Sequence, residues 1–167
     1  MSTLLVLGGA RSGKSRFAEN WVAAHGRSLS YIATAQALDE EMATRIDRHR
    51  ADRGDTWHTV EAPMDLAGAI ADAGAHADAI LVDCLTLWLS NWVLADRQPP
   101  VSELLKAIAE CPCPIALVTN EVGLGIVPDN ALARRFSDEA GRLNQAVAAA
   151  VEQVVMVVAG LPLKVKP

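Results

Sequence analysis

The chain has 167 residues, 51% hydrophobic and 21% charged, with a net charge of -5. That length suits one domain with a sizeable core, the acidic balance argues against a nucleic-acid partner, and no apolar run approaches a membrane span. Cys84, Cys111 and Cys113 make no disulfide framework, and the four histidines add no zinc-site spacing.

The first apolar run, Thr3 to Leu7, predicts a strand. It stops at a glycine loop rather than a signal-peptide cleavage site, so a cytoplasmic protein is expected. The loop is Gly8-Gly9-Ala10-Arg11-Ser12-Gly13-Lys14-Ser15, and a helix is expected over residues 16–24. Strand, G-x-x-x-x-G-K-S and helix together are the context of a phosphate-binding P-loop. Glycines let successive backbone N–H groups face one anion, and the helix N-terminus adds its positive dipole end. Lys14 supplies a cation for the outer phosphates and Ser15 a hydroxyl for Mg2+.

Further along, 29–34 reads as a strand, and 37–53 as a helix with Leu38, Met42, Ile46 and His49 on one stripe. Strands are expected at 57–61, 79–83, 115–119 and 154–158. Helices are expected at 64–73, 85–93, 101–110 and 129–151, the last capped by Asp129. Gly160 and Pro162 read as a turn into an edge strand at 163–166. Strands alternating with helices imply an α/β fold, a mostly parallel sheet with helices on both faces and its site at the carboxyl ends of the strands.

Several groups there have chemistry to offer, each with two readings open. Asp83 ends an apolar strand, where a P-loop protein places an acid for magnesium; an acid there also caps a following helix. His49 lies among Arg45, Arg48, Arg50 and Arg53, so it is either a nucleophile for phosphorus or a packed or phosphate-contacting histidine. Asn120 and Glu121 leave a strand end and either line the site or cap a loop. No guanine-reading N-K-x-D is present; the strand ends Thr119-Asn120-Glu121-Val122.

These stretches together resemble the bifunctional adenosylcobinamide kinase / adenosylcobinamide-phosphate guanylyltransferase family. The resemblance covers nearly the whole chain and rests on Gly8 to Arg16, Tyr31 to Ala35, and Asp39 to Met42 leading to Arg45, Ile46 and His49. It also rests on Thr119 to Gly123 with Gly125 to Pro128, and on Ala140 to Gln145. It implies a RecA-like P-loop NTPase fold, a homotrimer, and two reactions: phosphorylation of adenosylcobinamide with ATP or GTP, then GMP transfer from GTP to the phosphate through a guanylyl-histidine. The matching histidine is His49, with Arg48 where relatives carry an adjacent histidine. The GTP-contacting positions implied are Gly8 to Ser15, Ala33, Thr34, Ala35, Arg50, Ala51, Asp52, Arg53, Glu61 and Asp83. The alternative is a small-molecule P-loop kinase lacking the guanylyl step, with His49 binding phosphate.

Overall fold

The structure, a computed structural model, describes residues 2–36, 44 and 56–167. Of the expected helix over 37–53 only Thr44 is described, and it is helical; His49 and Arg50 to Arg53 lie outside the described residues.

Among the described residues, seven strands form one sheet: β1 (Thr3–Gly8), β2 (Leu29–Ala33), β3 (Trp57–Glu61), β4 (Ala79–Asp83), β5 (Ile115–Asn120), β6 (Gln153–Val158) and β7 (Leu161–Lys166). Their lateral order is β3-β2-β4-β5-β1-β6-β7. All neighbours pair in parallel except β6 and β7, which pair antiparallel. The central strands are apolar on both faces because helices cover both. In β1, Leu4 and Val6 pack beneath α1 (Lys14–Ala23), and Leu5 packs on the opposite face. That opposite face carries α2 (Leu66–Gly74), α3 (Leu85–Leu94), α4 (Val101–Glu110) and α5 (Ala131–Ala150). Trp88 of α3 is fully buried there, its Nε1–H donating to Met64 O at 2.8 Å.

The expected α/β architecture is thus present, and three local expectations change. The longest helix is capped by Asn130, not Asp129: Asn130 Oδ1 accepts from Ala133 N–H at 2.8 Å, and the helix begins at Ala131. The helix expected from Met64 begins at Leu66, because Asp65 caps it by accepting from Gly68 N–H at 2.9 Å. Pro162 lies inside β7 rather than in the turn; β7 is an edge strand, where a missing N–H costs no ladder bond. The turn itself is Ala159-Gly160, with φ of 51° and 80°.

Candidate active site

Parallel strands put all their carboxyl ends along one edge, so residues far apart in sequence arrive side by side. Ala33 pairs with Glu61 on one side and with Asp83 on the other. Asp83 pairs with Val118, and two residues further along, Asn120 pairs with Gly8, which also pairs with Val157. The edge therefore carries Glu61, Ala33 to Ala35, Asp83, Asn120 and the glycine loop in lateral order. One strand, β5, separates the loop strand β1 from the acid strand β4, a span of about 10 Å at two strand spacings.

The loop is shaped by close packing. A Cβ on Gly8 would stand 2.8 Å from Val157 O and against the Ser12 hydroxyl, and Gly13 has φ of 95° at the N-cap of α1. Arg11 adopts a left-handed φ of 54°, a conformation that costs a non-glycine residue about 1–2 kcal/mol. Gly13 O accepts from Phe17 N–H at 3.0 Å, starting α1 directly beneath the loop. Lys14 Nζ donates to Gly9 O at 3.2 Å and stays within the loop it serves. Ser15 is half-buried in the first turn of α1, which packs on β4 and β5 as well as on β1. The Ser12 hydroxyl is buried without a partner among the described residues.

Asp83 is half-buried and does not cap α3: the N-cap is Cys84, and no side chain makes a cap bond there. The helix-cap reading of Asp83 thus has no bond to support it. Ser15 and Asp83 offer one hydroxyl and one carboxylate, hard oxygen donors suited to Mg2+ completed by phosphate and water oxygens. Among the described residues no three His, Cys, Asp or Glu side chains converge. Burial first, then the Asp83 charge, pushes the neighbouring Cys84 thiol up to about 11.

Thr34 is fully buried. Its hydroxyl donates to Cys84 O at 2.6 Å and accepts from Cys84 N–H at 2.9 Å, and Asn91 Nδ2 donates to Thr34 O at 2.8 Å. The side chain thus ties the end of β2 to the residue after Asp83. Ala33 is buried, Ala35 half-buried, and Glu61 exposed at the end of β3.

Two features were not legible as site features. One is a buried polar network behind β5: Thr119 Oγ1 donates to Asn144 Oδ1 at 2.8 Å, and Thr86 Oγ1 accepts from Asn120 N–H at 2.7 Å. It fixes the backbone of Asn120, whose Oδ1 is buried without a partner among the described residues. Hydroxyls in a strand and a helix give no sequence signal of meeting. The other is the Ala159-Gly160 turn, where Gly160 N–H donates to Ser12 O at 2.8 Å. Gly160 reads in sequence only as a turn residue. Among the described residues His25 donates Nδ1–H to Trp21 O at 2.7 Å and closes the end of α1. Among the described residues no helix is long and apolar enough to cross a membrane.

A glycine loop, a cation, a hydroxyl and an acid on one sheet edge are an arrangement found in many nucleotide-binding enzymes, and it does not by itself say which reaction follows. Comparison with known proteins narrows it. The chain is 50% identical to the bifunctional adenosylcobalamin biosynthesis protein CobP of Pseudomonas aeruginosa, over 97% of this chain and 96% of that protein. It is 43% identical to the bifunctional adenosylcobalamin biosynthesis protein CobU of Salmonella typhimurium, over 98% of this chain and 99% of that protein. A family model described as cobinamide kinase / cobinamide phosphate guanyltransferase matches residues 4–165, and the chain belongs to that family.

Proposed function

We propose that this protein phosphorylates adenosylcobinamide with ATP or GTP and then transfers GMP from GTP to the adenosylcobinamide phosphate, giving adenosylcobinamide-GDP and pyrophosphate. The observation that carries the reading is the P-loop and Asp83 on one sheet edge in a chain of this family.

In the first reaction the hydroxyl oxygen of the aminopropanol arm attacks the γ-phosphorus. The bond from that phosphorus to the bridging oxygen breaks, the nucleoside diphosphate leaves, and the hydroxyl proton passes to solvent. Gly8 to Gly13 present N–H groups to the phosphates, and Lys14 exchanges Gly9 O for phosphate oxygens as charge develops on them. Mg2+, when bound, neutralises phosphate charge; Ser15 and Asp83 would hold it.

In the second reaction a His49 nitrogen attacks the α-phosphorus and pyrophosphate leaves, held by the same loop. A phosphate oxygen of adenosylcobinamide phosphate then attacks the guanylyl phosphorus, the phosphorus–nitrogen bond breaks, and the imidazole is restored. Arg50, Ala51, Asp52 and Arg53 follow His49 directly in sequence and belong to the same GTP contact set, with Ala33 to Ala35 and Glu61. Thr34 supports that set by holding the end of β2 in place, its hydroxyl engaged by Cys84 and its backbone by Asp83 and Asn91. We place the enzyme in the cytoplasm as a homotrimer, in keeping with the family resemblance.

Labelled GTP tests the reading. The γ-label should move to adenosylcobinamide and the α-label should appear in adenosylcobinamide-GDP. Transfer of the γ-label alone would leave a kinase without the guanylyl step, and hydrolysis without transfer would overturn both reactions.

A further inference from the structure

Two stretches that carry the family resemblance are given no part in the nucleotide chemistry proposed above: Gly123 with Gly125 to Pro128, and Ala140 to Gln145. In the fold they face each other as the walls of one open cleft of about 690 Å³. One wall is the loop leaving β5, where Ile126 is 97% and Val127 75% exposed. The other is a face of α5 presenting Asp138, Gly141, Arg142 and Gln145, spaced so that they share one side of the helix.

The root of the loop is stitched to the P-loop: Glu121 N–H donates to Gly8 O at 3.1 Å, and Glu121 Oε1 accepts from Gly123 N–H at 2.6 Å. The cleft therefore opens beside the phosphate cradle, at the carboxyl edge where α/β proteins bind ligands. Gly141 gives an independent indication. A glycine inside a 20-residue helix costs about 1 kcal/mol relative to alanine, yet no heavy atom lies within 4 Å of where its Cβ would stand. Among the described residues nothing fills the space that this glycine leaves on the cleft side, so the helix surface there is open to a ligand. Arg142 and Gln145 are exposed beside it, and neither has a hydrogen-bond or ion-pair partner among the described residues.

We infer that this cleft is the corrinoid subsite. This rests on the proposed function, which supplies the ligand: a large macrocycle with apolar faces, carboxamide arms around its rim, and one arm ending in the hydroxyl to be phosphorylated. The apolar loop residues Ile126 and Val127 cover part of a macrocycle face. Arg142 and Gln145 donate to rim carboxamide oxygens, and the bare surface at Gly141 lets the rim lie close to the helix. An open cleft of this volume grips one edge of such a ligand and leaves the rest outside. The hydroxyl-bearing arm then has only the Glu121–Gly8 junction to pass to reach the P-loop.

The test is equilibrium binding of adenosylcobinamide, followed by its visible absorption, to the wild type and to Gly141→Leu and Ile126→Asp. Gly141→Leu fills the floor where the structure has room and favours helix, so its melting temperature should hold or rise. Each variant should bind the corrinoid about tenfold or more weakly, a loss of one or two good contacts. Nucleotide affinity and sedimentation behaviour should stay unchanged. Unchanged corrinoid affinity in both variants overturns the assignment, as does a wild type that binds no corrinoid. An affinity loss that tracks dissociation of subunits also overturns it, and makes the apolar loop a contact between copies of the chain. A wild type that binds the corrinoid but transfers no phosphate refutes the proposed function while the cleft assignment is still decided by the variants.

Discussion

The backbone N–H of Gly160 holds the carbonyl oxygen of Ser12 at 2.8 Å, so the turn after β6 braces the phosphate loop from behind. In a planar trans peptide the C=O of Ser12 and the N–H of Gly13 point in opposite directions. Pinning the carbonyl toward Gly160 thus aims the Gly13 N–H the other way, toward the phosphate side. The two segments are close: a Cβ on Gly13 would stand 3.3 Å from Gly160 Cα. The hairpin is secured at its far end by Lys166, whose Nζ donates to Ala148 O, Ala149 O and Val151 O at the C-terminus of α5, where a cation also suits the helix dipole.

Gly160→Ala tests the brace. Gly160 has φ of 80°, where an alanine costs roughly 1 kcal/mol or more, and the turn can relieve that strain by moving off the loop. Nucleotide affinity measured by calorimetry should fall about tenfold, with a loss of stability on the order of 1–2 kcal/mol. Wild-type affinity in a destabilised variant would show that the turn supports the fold and not the loop.

Thr34→Val keeps the shape and removes the hydroxyl that serves both backbone groups of Cys84. The Cys84 N–H would be left buried without its acceptor, a cost of about 1–3 kcal/mol. Urea denaturation should show that loss, and Thr34→Ser should restore most of it. A Thr34→Val protein of wild-type stability would mean that the β2–β4 junction does not depend on this bond.

The sheet and its site edge were legible because the signals are strong: apolar runs of strand length, a P-loop in its strand–helix context, and an acid ending β4. The cap of α5 was misassigned by one residue, since Asp129 and Asn130 are both good caps and only backbone geometry selects Asn130. Pro162 reads as a breaker in sequence; only the lateral strand order shows that it sits on an edge. Thr34 lies in a recognised stretch, but its bond to Cys84 spans fifty residues and follows from β2 pairing with β4 rather than from local pattern. The Gly160–Ser12 contact has the same origin, the pairing of β6 with β1.

Lys14 is the cation that the P-loop brings to the outer phosphates, and its present partner, Gly9 O, is within the loop. Lys14→Ala should lower both phosphoryl and guanylyl transfer by two or more orders of magnitude, roughly the loss of a charge that acts on the transition state. Circular dichroism and melting should be close to wild type, because among the described residues the Lys14 side chain makes no bond outside the loop. Near-normal phosphorylation by the folded variant would overturn the P-loop assignment.

Asp83→Asn removes a charge while keeping size. Magnesium requirement should rise in both reactions, read as a higher Mg2+ concentration at half-maximal rate. An unchanged magnesium dependence would show that Asp83 does not serve the metal.

His49 separates the two chemistries. Phosphoryl transfer to a substrate hydroxyl needs no nucleophile from the protein, so His49→Ala should keep much of the kinase activity. Guanylyl transfer through a covalent intermediate needs an imidazole lone pair and should collapse in the variant. Wild type incubated with α-labelled GTP and Mg2+ should take up label in a bond that is labile to acid and stable to alkali, as expected for phosphorus bonded to nitrogen. Excess pyrophosphate should remove the label, because reversal regenerates GTP. Label uptake by His49→Ala, or adenosylcobinamide-GDP formed at the wild-type rate, would place the nucleophile elsewhere. If the diphosphate product forms while neither protein is ever labelled, the phosphate of the corrinoid attacks GTP directly, and the arginines around His49 then act on the nucleotide without a covalent step.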